Sequence, residues 1–62
     1  MEHEKLITAQ DVAAILNVPL SSVYYYAIQG ILPSLKFGRQ RRFRKSEILK
    51  WLREQEKTED YK

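Results

Sequence analysis

Cysteine is absent from the 62-residue chain, so neither a disulfide framework nor a thiolate metal site can stabilise it. No apolar run approaches the roughly 20 residues that a membrane-spanning helix needs. The first five residues lack an apolar signal core, and we therefore expect a cytoplasmic protein. The single histidine, His3, has no second ligand at metal spacing, and no glycine-rich phosphate loop is present. The sequence thus predicts a protein that is not an enzyme and has no cofactor.

Acidic residues are missing from one strongly basic segment. Residues 36–45 contain six lysines and arginines and no aspartate or glutamate, whereas the rest of the chain has five basic and eight acidic residues. The whole chain has a net charge of +3, so this segment carries all of the positive excess. Positive charge concentrated in this way favours contact with phosphates. The alternative is that the basic residues only protect an edge strand from aggregation.

Two short helices are predicted in the first half of the chain, which is long enough for one small domain (1–62, core about 6–56). Thr8 and Asp11 predict a capping box at the start of a helix over about 9–16. Asn17 tolerates the left-handed conformation that ends a helix. A second helix is predicted over about 20–29, and two helices joined so tightly are typical of a helix-turn-helix unit.

A β-hairpin and a third helix complete the predicted fold. Apolar and basic residues alternate on both sides of Gly38, which is typical of two strands joined by a tight turn. We expect Leu35, Phe37 and Phe43 on the face that packs on the helices, and Lys36, Arg42 and Arg44 on the other face. A helix over about 46–56 should bury Trp51 against Phe37 and Phe43. The predicted fold class is mostly α with a small β-hairpin, a winged helix-turn-helix of order α-α-β-β-α.

The candidate DNA-binding residues lie on the second helix and the hairpin. With Val23, Tyr26 and Ala27 buried, the opposite helix face presents side chains that can reach phosphates or base edges. These are Ser21, Ser22, Tyr25 and Gln29. The hairpin offers Lys36, Arg39, Arg41, Arg42 and Arg44 for phosphates or a minor groove. Tyr24 and Ile28 lie on the flank of the helix face, and we expect them to pack beneath the hairpin; a self-association patch is the alternative.

A series of landmarks runs through nearly the whole chain, from Leu6 to Leu52. They are Leu6-Ile7-Thr8, Val12-Ala13, Leu16-Asn17-Val18, Ser21-Ser22-Val23-Tyr24, Gly30-Ile31-Leu32-Pro33, Phe37-Gly38-Arg39, Arg42-Phe43 and Trp51-Leu52. In this order they resemble the excisionase-type DNA-binding domains of the MerR-like winged-helix superfamily. The resemblance implies a bacterial or phage-encoded, nucleoid-associated protein that places its second helix in the major groove and its hairpin on the backbone or minor groove. It further implies cooperative self-association on DNA and an integrase or other recombinase as partner.

The chain departs from that family pattern at four places. Tyr25 stands where arginine is usual, Ile28-Gln29 replaces a frequent basic pair, Arg41 replaces an aromatic residue, and Pro19 replaces a serine cap. The base contact of the usual arginine therefore does not transfer directly to Tyr25. Two other functions stay open from the sequence: a small transcriptional regulator, and a protein-interaction module whose basic hairpin binds an acidic partner.

Overall fold

The computed structural model describes residues 4–58, which form three helices and three short strands. In chain order these are β1 (Leu6–Ile7), α1 (Ala9–Leu16), α2 (Leu20–Ile28), β2 (Leu35–Phe37), β3 (Gln40–Arg44) and α3 (Lys45–Thr58). The structure confirms the predicted winged helix-turn-helix and adds β1, which the sequence analysis did not predict. His3 and the tail from Glu59 lie outside the described residues.

The ends of α1 are fixed by its own side chains. Thr8 Oγ1 accepts a hydrogen bond from the Asp11 backbone N–H at 3.2 Å, and Asp11 Oδ2 accepts one from the Thr8 backbone N–H at 3.0 Å. The predicted capping box is therefore confirmed. The Thr8 backbone N–H and, second, the Thr8 hydroxyl, which donates to Asp11 Oδ2 at 3.1 Å, lower the pKa of Asp11 below its ordinary value of 3.8. At the other end Asn17 adopts the expected left-handed conformation, with φ 58° and ψ 49°.

Three residues then lead into α2. Its N-cap is Pro19, whose carbonyl accepts hydrogen bonds from the Ser22 and Val23 backbone N–H groups at 3.0 and 3.4 Å. Gly30 follows the helix with φ +79°, a left-handed conformation that costs glycine little. Both ends of α2 therefore follow the sequence expectation to within one residue.

To place Leu35, Phe37 and Phe43 on one face, the expected hairpin needs a three-residue loop over residues 38–40. The observed loop contains two residues, so the strands pair in a different register. Phe37 pairs with Gln40 and Leu35 with Arg42, which leaves Gly38 and Arg39 as the loop. Gly38 has φ +61° and Arg39 has no positive φ, the pattern of a type II′ turn. Directly paired residues share a face of the sheet, so a shift of one residue changes the face of every side chain on the returning strand.

The expected division of the hairpin faces is therefore wrong. Leu35 and Phe37 lie on the same face as Arg42 and Arg44, whereas Phe43 shares its face with Lys36 and Arg41. Phe43 is completely buried, but Phe37 is 56% exposed and does not anchor the hairpin. On its other edge β3 pairs with β1, where Ile7 lies opposite Phe43 and packs against the core.

One small core holds the helices to β3, which packs against α1 and α3. Its buried members come from every helix, the loop before β2 and the central strand: Ala9, Val12, Val23, Ala27, Leu32, Phe43 and Ile48. Trp51 is half-buried at the margin of this core. It lines an apolar groove with Leu16, Val18, Tyr26 and Ile31. The expected burial of Trp51 against Phe37 is wrong because Phe37 is exposed, whereas Phe43 belongs to the core against which Trp51 packs.

A carboxylate from the N-terminal segment holds the first turn of α3. The two oxygens of Glu4 accept hydrogen bonds from the Ser46 backbone N–H and from Ser46 Oγ, each at 2.7 Å. The unpaired N–H groups at a helix start favour such an anion. The Ser46 hydrogen bonds and, to a smaller extent, the charge of Arg44 lower the pKa of Glu4 below its ordinary value of 4.5. This contact spans 42 positions in sequence.

Candidate nucleic-acid interface

The outward face of α2 presents the predicted hydrogen-bonding side chains. Ser21, Tyr25 and Gln29 are exposed, whereas Ser22 is half-buried. Tyr25 is 58% exposed, and its ring meets the half-buried ring of Tyr26 edge to face with centroids 5.8 Å apart. This contact helps to fix the direction in which Tyr25 projects from the helix.

Two further side chains of α2 are exposed against expectation. Tyr24 and Ile28 were expected beneath the hairpin, but they are 42% and 64% exposed. The expectation is wrong because the hairpin packs through Phe43 on β3, beside α1 and α3, and does not cover this flank of α2. The outward face of α2 therefore has an apolar and aromatic character that the polar residues alone did not indicate.

The cationic side chains of the hairpin lie on both of its faces and at its tip. Lys36 and Arg41 are directly opposite each other on one face, and the hairpin itself contains no acidic residue. Like charges directly opposite each other destabilise a strand pair. The guanidinium group of Arg41 is held by Ser34, because its Nη1 donates a hydrogen bond to Ser34 Oγ at 3.0 Å.

The remaining arginines of the hairpin differ in how freely they can meet a ligand. Arg42 is half-buried, and its guanidinium donates to the Arg41 carbonyl at 2.8 Å and to Gln40 Oε1 at 3.1 Å. Arg44 is exposed, but the Glu4 carboxylate nearby offsets part of its charge. Arg39 is exposed at the tip of the loop, and within residues 4–58 its side chain has no hydrogen bond or ion pair. Arg39 and Lys36 are thus the exposed cations of the hairpin whose charge no neighbouring carboxylate is shown to offset.

Across residues 4–58 no cluster of three histidine, cysteine or acidic side chains could hold a metal ion. Over the same residues, no helix has both the length and the apolar character needed to cross a membrane.

Two short helices joined by three residues, followed by a basic hairpin, define the class of DNA-binding helix-turn-helix proteins. The chain belongs to the helix-turn-helix domain family, because the sequence model of that family matches residues 6–56. The match agrees with the resemblance to excisionase-type domains. No curated protein and no solved structure matches the chain significantly.

Proposed function

We propose that the protein binds duplex DNA at specific sequences, with α2 in the major groove and the hairpin on the phosphate backbone or the adjacent minor groove. The observation that supports this most is the uncompensated charge of the hairpin. Lys36 and Arg41 lie directly opposite each other in a hairpin that contains no acidic residue, an arrangement that disfavours the strand pair. A polyanion would relieve this repulsion, and residues that break a folding rule in this way are often functional.

The two elements have different roles in this proposal. The cations of the hairpin, above all Lys36 and Arg39, supply affinity that does not depend on sequence, because each phosphate contact releases counterions. Arg41, Arg42 and Arg44 add to the positive field, although their partners within the chain restrain or offset them. An α-helix fits the major groove, where base edges differ between all four base pairs. Discrimination between base pairs therefore comes from Ser21, Tyr25 and Gln29. The half-buried Ser22 contacts a phosphate near the start of the helix.

The electrostatic part is tested by measuring affinity for random duplex DNA over a series of salt concentrations. If four phosphates are neutralised, the log–log slope should be about −3.6, from about −0.9 per phosphate. Arg39→Ala should reduce the steepness of this slope by about 0.9. Lys50→Ala removes the same charge from an exposed position on α3 and is the matched control. Equal effects of both substitutions would show that net charge, and not the hairpin, governs binding.

The base-reading part is tested with a cognate duplex selected from a random library and a scrambled version of it. Tyr25→Ala should weaken cognate binding by about 1–3 kcal/mol, the usual value of a base contact, and barely change scrambled binding. Tyr25→Phe keeps the ring and removes the hydroxyl, so it separates stacking or methyl contacts from hydrogen bonding. Equal losses on both duplexes would assign Tyr25 to a phosphate and contradict the base-reading role.

We further propose that the protein acts as a recombination directionality factor of a mobile element, as the resemblance to excisionase-type domains implies. A domain of this size covers little DNA surface, so cooperative self-association on repeated sites and a recombinase partner would raise its affinity. Deleting the gene in a strain that carries it should abolish the rejoined excision junction, measured by amplification across it. Unchanged junctions with altered transcript levels would instead support a transcriptional regulator.

A further inference from the structure

The most exposed large apolar side chain of the described residues lies on the flank of the proposed DNA-reading face. Ile28 is 64% exposed. Positions i, i+4 and i+7 share one face of a helix, so Ser21, Tyr25 and Ile28 project to the same side of α2. Val23 and Ala27 are buried on the opposite side. Ile28 lies outside the buried core, yet it projects beside Ser21 and Tyr25, which would meet base edges.

We propose that Ile28 recognises the C5-methyl group of a thymine in the major groove. The inference rests on the proposed function, since it requires α2 to lie in that groove. In the major groove the methyl group of thymine is the apolar feature that marks a base, and aliphatic side chains contact it. Neither α2 nor the hairpin contains an acidic residue that would repel the DNA backbone.

A second copy of the chain is a poorer occupant for this face. A stable protein interface buries about 1,200–2,000 Å² in total, which a few side chains of a nine-residue helix do not provide. α2 also has no charged side chain that could form an ion pair with a second copy. Duplex DNA offers phosphates to the basic hairpin and, in the major groove, a methyl group to Ile28.

The test combines a change in the protein with a change in the DNA. A duplex is enriched from a randomised library with the wild-type protein, and each thymine is then replaced by deoxyuridine, which removes only the methyl group. Wild-type protein should lose about four-fold in affinity at one position, the equivalent of about 0.8 kcal/mol for one buried methyl group. Ile28→Ala should bind the thymine and deoxyuridine duplexes equally. Leu49→Ala, which truncates another exposed aliphatic side chain on α3, should keep the wild-type ratio.

The possible outcomes separate this inference from the proposed function. If no sequence is enriched and no duplex is bound, the proposed function fails and the inference fails with it. If an enriched duplex is bound but wild-type protein tolerates deoxyuridine at every position, methyl recognition is wrong and DNA binding stands. If Ile28→Ala weakens both duplexes equally and converts a dimer into a monomer in sedimentation, Ile28 is a self-association contact and the inference is overturned.

Discussion

Replacing Phe43 should damage the fold far more than replacing Phe37, although both are phenylalanines of the same hairpin. Phe43 is completely buried and Phe37 is 56% exposed. Truncating a buried phenylalanine to alanine typically costs about 3–5 kcal/mol. A domain of 62 residues has only about 3–9 kcal/mol of unfolding free energy, from about 0.05–0.15 kcal/mol per residue. Phe43→Ala should therefore lose between about a third and all of its stability, whereas Phe37→Ala should stay within about 0.5 kcal/mol of the wild type.

Urea denaturation followed by far-UV circular dichroism measures these differences. Because Phe43→Ala can lack a folded baseline, Phe43→Leu provides a measurable variant, with an expected loss of about 1–1.5 kcal/mol. With a slope near 1 kcal/mol per M for a small protein, its midpoint should fall by about 1 M. Phe37→Leu is the matched control and should leave the midpoint unchanged. Equal losses at the two positions would refute the pairing of Phe37 with Gln40 and restore a register with Leu35 opposite Phe43.

The other predictions concern pH, the turn and the aromatic margin of the core. Since the folded pKa of Glu4 lies below its unfolded value of 4.5, the unfolded chain binds more protons in acid. The stabilisation of the folded chain by ionised Glu4 is complete above about pH 4.5 and is lost as the pH falls through the folded pKa. Glu4→Gln should therefore reduce the dependence of the melting temperature on pH in this acid range. Gly38→Ala should lower the free energy of unfolding, measured by urea denaturation, by about 1–2 kcal/mol. The backbone φ of +61° is the cause, since no atom lies within 4 Å of an added Cβ and no clash contributes. Arg39→Ala, at the next position, should leave the free energy of unfolding unchanged. Trp51→Ala should lower the melting temperature by about 8–16 °C, corresponding to about 2 kcal/mol for a half-buried side chain, and an unchanged value would place Trp51 outside the core.

Local chemistry made most of the helical framework predictable. The capping box of Thr8 and Asp11 and the left-handed Asn17 involve neighbours in sequence, so residue types at fixed spacing were sufficient. The burial of Val23 and Ala27 followed from helical periodicity in the same way. Among the proposed site residues, the exposure of Ser21, Tyr25 and Gln29 agreed with the expected outward face of α2.

The features that the sequence did not reveal depend on register or on distant partners. A turn at Gly38 is evident, but two-residue and three-residue loops are both compatible with the residues that follow it, and they place Phe37 on opposite sides of the hairpin. The exposure of Ile28 depends on where the hairpin packs, which is a tertiary choice. Glu4 caps α3 from the other end of the described chain. A pattern of neighbouring residues cannot predict this contact, because its two partners are 42 positions apart in sequence.

The contact of Glu4 with Ser46 and the pairing of Leu6 with Arg44 also bear on the order in which the chain can fold during synthesis. The ribosome makes the N-terminal end first, and α1 and α2 can pack together as soon as both have emerged. Glu4 and β1 must wait until β3 and the first turn of α3 are made, and they then close a loop that spans nearly the whole domain. Within this domain the segment that is synthesised earliest is thus among the last to reach its native partners, and a nascent chain that stalls before β3 leaves Leu6 and Ile7 without their strand partners.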